Sequence, residues 1–150
     1  MSSPAKPIWG VLTKKAEREL RQSTSLLNVA LSKRSNTKQR QNKLDSLLFE
    51  YSNRLNNICD KTHKTTDTAN YRQFIVHLQN LRARTAEELM KSELACQKAK
   101  RKVVLADQER LKLQRLGERA QKKVVREEKQ KESKEIEAQG LSQFNQKSHM

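Results

Sequence analysis

Two long stretches of this 150-residue chain repeat mostly small or apolar residues at alternating steps of three and four positions, with one extra step of four and one extra step of three in the second stretch. This is the a/d spacing of a heptad repeat, which lays one stripe of side chains along a helix and packs it against another helix. We call each stripe a seam. The first seam consists of Ala16, Leu20, Ser23, Leu27, Ala30, Arg34, Thr37, Gln41, Leu44, Leu48, Tyr51, Leu55 and Ile58. The second consists of Tyr71, Phe74, Leu78, Leu81, Thr85, Leu89, Ser92, Cys96, Ala99, Val103, Ala106, Arg110, Leu113, Leu116 and Ala120.

The scarcity of turn-forming residues excludes most other folds. The chain has three glycines and two prolines, and both prolines lie within the first seven residues. A β-sandwich or barrel needs turn signals about every 8 to 12 residues, and a doubly wound α/β fold needs glycine-rich βα turns. With 34% apolar residues, the chain is also too poor in core residues for an ordinary globular domain.

The stretch CDKTHKTTDTAN separates the two seams and is rich in Thr, Asp and Asn, which favour turns and helix N-caps over helix interiors. We therefore predict an all-α fold, in which two long helices form an antiparallel coiled-coil hairpin shaped as a rod. Asp67, Thr68 or Asn70 could cap the second helix. The polar residues in the middle of the first seam predict its weakest packing there. The predicted boundaries are a disordered N-terminus at 1–7, a single hairpin domain at 8–140 with helices at about 8–58 and 69–140 around a linker at about 59–68, and a disordered tail at 141–150.

A turn centred near residue 64 places residue i opposite about residue 128 − i. Cys59 then lies at the loop end, whereas Cys96 lies on the order of 40 Å away, so no internal disulfide is expected. The second helix extends beyond the first with the sequence KKVVREEKQKESKEIEAQ, which has almost no apolar stripe. A helix that is polar on all faces needs a partner or frays.

The net charge of +15 favours acidic partners. The chain has no glycine-rich phosphate loop, no GxSxG and no HExxH motif, so we expect no catalysis, no cofactor and no metal site. No apolar run approaches the roughly 18 residues that cross a membrane, and MSSPAKPIWG lacks the apolar region of a signal peptide.

Bulky apolar side chains concentrate around the loop end of the predicted hairpin. Two interpretations are open: these residues close the end of the hairpin, or they form a docking patch for a partner. Phe49 and Ile75 are expected to lie partly exposed. The concentrated residues are Phe49, Tyr51, Tyr71, Phe74, Ile75 and Leu78.

Several segments resemble the FliJ family, the small basic coiled-coil proteins of the flagellar type III export apparatus. The resemblance is carried by NYRQFIVHLQNL (70–81), by EYSNRLNN (50–57) and by KKAERELRQSTSLL (14–27). The charged segment LGERAQKKVVREEKQKESKEIEA (116–138) resembles the tail of the family. Together these segments extend over nearly the whole chain.

The resemblance implies a non-enzymatic stalk of the flagellar export ATPase ring, which also contacts the cytoplasmic domain of the export gate protein and helps to escort or recycle export chaperones. It implies a cytoplasmic protein that associates peripherally with the inner membrane at the flagellar base. The implied gate-binding residues are Leu44, Tyr51, Phe74 and Leu78. The implied ATPase-binding residues are Ala16, Glu17, Leu20, Arg119, Glu128 and Lys134.

Three alternatives remain open from the sequence. The nearest is the equivalent stalk of a virulence-type secretion system. A second is a basic coiled coil that binds nucleic acid, although the basic residues are spread over the chain without an aromatic stacking platform, so no specific nucleic acid is expected. A third is a structural coiled-coil dimer, which would form if the linker stayed helical.

Overall fold

The structure is a computed structural model that describes the backbone of residues 7–60 and 65–148. Helix α1 is Pro7–Asp60 and helix α2 is Thr65–Ser148. The two helices pack against each other, which confirms the predicted all-α coiled-coil hairpin.

The first helix begins at a proline, which suits the first turn because its missing N–H has no intrahelical partner there in any case. Asp67 lies in the first turn of α2, where its carboxylate interacts favourably with the helix dipole. Both helices extend into the stretch where we expected the linker, 59–68, and the remaining residues 61–64 lie outside the described part of the chain.

Helix α2 continues past residue 140, where the sequence predicts a disordered tail, as far as Ser148. The sequence from Leu141 to Ser148 contains neither proline nor glycine, and helix propagation costs little once a long helix precedes it. The expectations for residues 1–6 and 149–150 concern residues outside the described part of the chain.

The backbone divides into two compact units, each of which pairs a stretch of α1 with a stretch of α2. The terminal unit combines Met1–Gln22 with Val104–Met150, and the loop unit is Ser23–Val103. We describe each unit by itself.

Cross-helix pairs define the register of the loop unit. Arg40 Nη2 lies 3.0 Å from Glu88 Oε2, and Arg82 pairs with Asp45. The residue numbers in these two pairs sum to 128 and 127, so α1 and α2 run antiparallel here, with the register that the sequence predicts.

The predicted seams are the covered faces of the helices in both units. Every seam residue is buried or half-buried except Phe74, which is 41% exposed. The neighbouring Ile75 is half-buried and takes the more covered position. At this point the contact face of α2 is therefore rotated by about one residue from the predicted seam.

The hydroxyl groups buried in the middle of the loop-unit seam all form hydrogen bonds. Thr37 is 1% exposed, and its hydroxyl donates to the carbonyl of Lys33 at 2.9 Å. Thr85 and Ser92 likewise donate to carbonyls about one turn earlier in α2. Because each hydroxyl is satisfied by its own helix, its burial avoids the penalty of an unpaired polar group but adds little attraction between the helices.

Candidate functional site

Three aromatic rings meet across the helices of the loop unit and form what we call the aromatic cluster: Tyr51, Tyr71 and Phe74. The Tyr51 and Phe74 ring centroids are 4.7 Å apart in an edge-to-face arrangement, and those of Tyr51 and Tyr71 are 6.0 Å apart. Both distances fall in the range where aromatic pairs attract beyond simple burial of area. The rings therefore hold one another in fixed positions at the surface.

The aromatic cluster combines internal packing with exposure. Tyr51 and Tyr71 are half-buried between the helices, whereas Phe74 exposes 41% of its surface. Phe49 is 72% exposed, as expected. It lies two residues before Tyr51, which on a helix is about 200° around the axis, so Phe49 and the cluster lie on opposite sides of α1.

Charged side chains border the aromatic cluster. Arg54 lies one turn after Tyr51, with its Cζ 5.1 Å from the centre of the Tyr51 ring, within the range of a cation–π contact. The same guanidinium pairs with Glu50 at 2.6 Å. The cluster thus presents an apolar ring edge beside a held positive charge, a combination found at protein interfaces.

The four residues implied in gate binding all lie in the loop unit, but they differ in exposure. Leu44 and Tyr51 are half-buried, and Phe74 is exposed. Leu78 is only 3% exposed, so it belongs to the contact between the helices. Of the four, Phe74 offers the most apolar surface to a partner.

In the terminal unit, the start of α1 packs closely against α2 at a glycine. A Cβ atom placed on Gly117 would lie 3.6 Å from the Cβ of Trp9. The Thr13 hydroxyl donates to the Trp9 carbonyl at 2.7 Å. Trp9 itself is half-buried, so this contact anchors the beginning of α1 on α2.

The six residues implied in ATPase binding also lie within one unit, the terminal unit. On α1, Ala16 is buried in the helix contact, and Glu17 and Leu20 are half-buried. On α2, Glu128 is half-buried, while Arg119 and Lys134 are exposed. Of the six, only these last two are exposed.

Arg119 lines a groove of about 360 Å³ on α2, together with the apolar residues Leu111 and Leu116. Its remaining lining residues are Gln108, Lys112 and Arg115. Further along the same helix, every side chain from residue 131 to 148 is exposed, including those of Ile136, Leu141 and Phe144. The described chain places nothing against this segment of α2.

Three features of the described residues concern metal ligands, thiols and membrane spans. Among residues 7–60 and 65–148, no three His, Cys, Asp or Glu side chains cluster as metal ligands. Cys59 is exposed and Cys96 is buried, and both are free thiols. Within the same described ranges, neither helix has an apolar stretch long enough to span a membrane.

Comparison with known protein families decides what kind of protein this is. The profile of the flagellar FliJ protein family matches residues 10–147. The chain belongs to the FliJ family. FliJ proteins are components of type III protein export, and this membership places the chain in that apparatus.

A solved structure has the same fold. A proposed YscO homolog from Chlamydia trachomatis superposes with a TM-score of 0.69 at 17% sequence identity, and the match covers 98% of this FliJ-family chain and 98% of the homolog. At this identity the likeness concerns the fold alone. A comparison with curated proteins finds no significant match.

Sequence reasoning missed two features of the candidate site. It placed Phe74 on the covered seam and did not anticipate the cation–π contact of Arg54 with Tyr51. The contact of Arg54 with Tyr51 could have been predicted from the sequence, since residues three apart on a helix are neighbours. The exposure of Phe74 has no signal in the sequence, because a rotation of the contact face by one residue depends on how the helices meet near the loop.

Proposed function

We propose that this FliJ-family chain is the central stalk of the flagellar export ATPase ring. In this proposal the terminal unit enters the ring and the loop unit contacts the cytoplasmic domain of the export gate. The protein does no chemistry of its own. It couples ATP hydrolysis in the ring to the gate and helps to escort or recycle export chaperones, as a cytoplasmic protein peripherally associated with the inner membrane at the flagellar base.

The observation that carries the proposal is the family match over residues 10–147, together with the paired long helices of the fold. A helical hairpin with a basic surface suits insertion into an acidic ring lumen, because charge complementarity speeds association and makes it sensitive to salt. The chain supplies this charge, with 32 basic against 17 acidic residues.

The aromatic cluster supports the proposed contact with the gate. An exposed Phe74 ring fixed by Tyr51 is a preorganised apolar anchor, and such anchors dominate the energy of protein interfaces. In this account Tyr51 and the buried Leu78 act by holding Phe74 in place. Leu44 lies half-buried in the same unit and adds to the rim of the contact.

The exposed tail of α2 supports the proposed contact with the ATPase. A long helix with all side chains exposed from 131 to 148 needs a partner to bury its apolar residues. Lys134 lies in this segment, and Arg119 lies beside the basic groove before it. The buried Ala16 belongs to the contact between the helices of the terminal unit and in this proposal does not itself touch the ring.

A pull-down and hydrolysis assay with the cognate export ATPase tests the proposal, at low and at moderate salt. We expect binding that promotes hexamer formation and raises hydrolysis. The variant Arg119→Glu/Lys134→Glu should weaken both effects, and Lys43→Glu/Lys100→Glu, with the same charge change in the loop unit, should not. Failure of the unaltered protein to bind, with nucleic acid copurifying in its place, contradicts the proposal.

The second candidate is the equivalent stalk of a virulence-type secretion system. The fold shared with the YscO homolog is the observation in its favour. Binding assays that present the flagellar and the virulence-type ATPases side by side separate the two candidates. We expect the flagellar enzyme to be the one that is bound and stimulated.

A further inference from the structure

The loop unit contains a region in which both helices lack acidic residues. On α1 no Asp or Glu occurs between Glu19 and Asp45, and on α2 none occurs between Glu93 and Asp107. The antiparallel register brings parts of these two stretches together within the loop unit. Elsewhere in the loop unit at least one of the two facing stretches contains acids, such as Asp45 on α1 or Glu88 on α2, so this region has a positive charge that no acid of its own offsets.

A groove between the helices lies in this region. It has a volume of about 240 Å³ and is lined by Ser23 and Leu26 of α1 and by Ala95, Lys98, Ala99 and Lys102 of α2. One leucine and two alanines supply the apolar part of this lining. The two lysines are four residues apart, so they lie on one face of α2 and border the groove one turn from each other.

Large apolar side chains beside the groove are left open to solvent. Leu26 is 61% exposed, and Val29, three residues later on the same face of α1, is 65% exposed. Neither residue belongs to the seam, so neither contributes to holding the helices together. An apolar strip bordered by two lysines is therefore available to a partner at no cost to the fold.

We propose that this lysine-bordered groove is a docking site for an acidic amphipathic helix of a partner protein. The apolar face of the partner helix would cover Leu26 and Val29, and carboxylates one turn apart would pair with Lys98 and Lys102. The absence of acids around the groove selects for a negatively charged partner and rejects a basic one. The site is independent of the proposed ATPase and gate contacts, since it includes none of their residues.

The observations favour a protein helix over the other anionic partners. No Phe, Trp or Tyr lies between Trp9 and Phe49 or between Phe74 and Phe144, so the region has no rings on which nucleic-acid bases could stack. A helix that binds in a membrane surface projects large apolar residues outward on one face. Here Leu26, Ala95 and Ala99 line a concave space between two helices, which suits side chains inserted from a partner helix.

The test uses the full-length protein and a synthetic fluorescent peptide of about 18 residues, with leucines at i, i+3, i+4 and i+7 and glutamates on the flanking positions. We expect saturable binding by anisotropy that weakens with salt. Amide shifts in a labelled protein should concentrate at residues 23–29 and 95–102. The variant Lys98→Glu/Lys102→Glu should weaken binding about tenfold or more.

Two matched controls make the result specific. The variant Lys43→Glu/Lys129→Glu makes the same charge change at positions that lie more than a Debye length (about 10 Å) from the groove along their helices, so it should alter binding by less than about twofold. Leu26→Ser should weaken binding, whereas Leu141→Ser, at an equally exposed leucine of the terminal unit, should not. Circular dichroism of each variant establishes that it is folded.

Three outcomes overturn the inference. The first is equal weakening of peptide binding by the two double lysine variants, which would show that net charge alone attracts the peptide. The second is equal binding of a peptide with the same composition in a scrambled, non-amphipathic order. The third is a protein that does not bind the peptide but does bind phosphatidylglycerol vesicles, and does not bind neutral phosphatidylcholine vesicles.

Discussion

Helix α2 contains two regions that are equally helical but held in different ways. From Tyr71 to Val103, side chains at steps of three and four other than Phe74 are covered by α1, whereas from residue 131 to 148 every side chain is exposed. Tertiary packing therefore stabilises the first region, and only local hydrogen bonds and propagation from the preceding turns stabilise the second. The difference teaches that helical content along this chain does not measure how firmly a segment is fixed.

The largest expected effect contrasts a buried leucine with an exposed one. Leu78→Ala should lower the free energy of unfolding by about 3 kcal/mol, because it removes packed methyl groups and leaves a cavity between the helices. Leu141→Ala, at an exposed position, should leave it nearly unchanged. Urea denaturation followed by circular dichroism measures both. Equal costs for the two variants would mean that the tail packs as firmly as the loop unit.

Replacing a threonine in the middle of the first seam tests whether the polar residues of that seam weaken the packing between the helices. Thr37→Val should raise the free energy of unfolding by about 1 kcal/mol, because a methyl group replaces a hydroxyl that bonds only within its own helix. Both residues are β-branched, so helix propensity changes little. Thr24→Val, at an exposed position, is the control. A loss of stability in Thr37→Val would show that the contact of Arg40 with the Thr37 hydroxyl outweighs apolar burial.

Helix α2 has one glycine that packs against α1, Gly117, and one at an exposed position, Gly140, so the same substitution can be compared at both. Gly117→Ala should stabilise the folded protein by somewhat less than about 1 kcal/mol, since alanine favours the helix and the added methyl meets Trp9 at an ordinary contact distance. At Gly140 the added Cβ contacts nothing within 4 Å. Gly140→Ala should therefore raise helical ellipticity without moving the urea midpoint. A shift of that midpoint would show that residues 131–148 unfold together with the rest.

The smallest expected effect concerns the ion pairs that cross between the helices in the loop unit. A double-mutant cycle on Arg40 and Glu88 should give a coupling of about 0.5 kcal/mol or less, because both side chains are more than half exposed. The coupling should fall further as salt is raised. A coupling several times larger, measured by the same urea titrations, would mean that charge pairs rather than the seam fix the register.

The seam spacing was sufficient to predict the fold and the pairing of the helices. Alternating steps of three and four specify a contact face directly, and the one polar, turn-favouring stretch specified where the chain reverses. Phe74 escaped this reasoning because Ile75 lies beside it and either residue can occupy the covered position. Which of them does so depends on the angle between the helices.

The candidate sites could be predicted only in part, because they are surfaces. The seam spacing already placed Leu78 in the contact between the helices, where it is 3% exposed, but it did not indicate that Phe74 is exposed. The lysine-bordered groove was not predicted either. The residues that line it come from distant parts of the chain, and in the sequence nothing distinguishes Leu26 from other apolar residues beside the seam.

The central claim is that the two units serve different partners, and one experiment measures both contacts in the same variants. Phe74→Ala should lose about tenfold or more in binding to the cytoplasmic domain of the export gate and still stimulate the ATPase. Phe49→Ala, at an exposed ring on the opposite side of α1, should retain both activities, and Arg119→Glu/Lys134→Glu should lose only the ATPase contact. A folded Phe74→Ala protein that binds the gate normally, or a single variant that loses both contacts, would contradict the account.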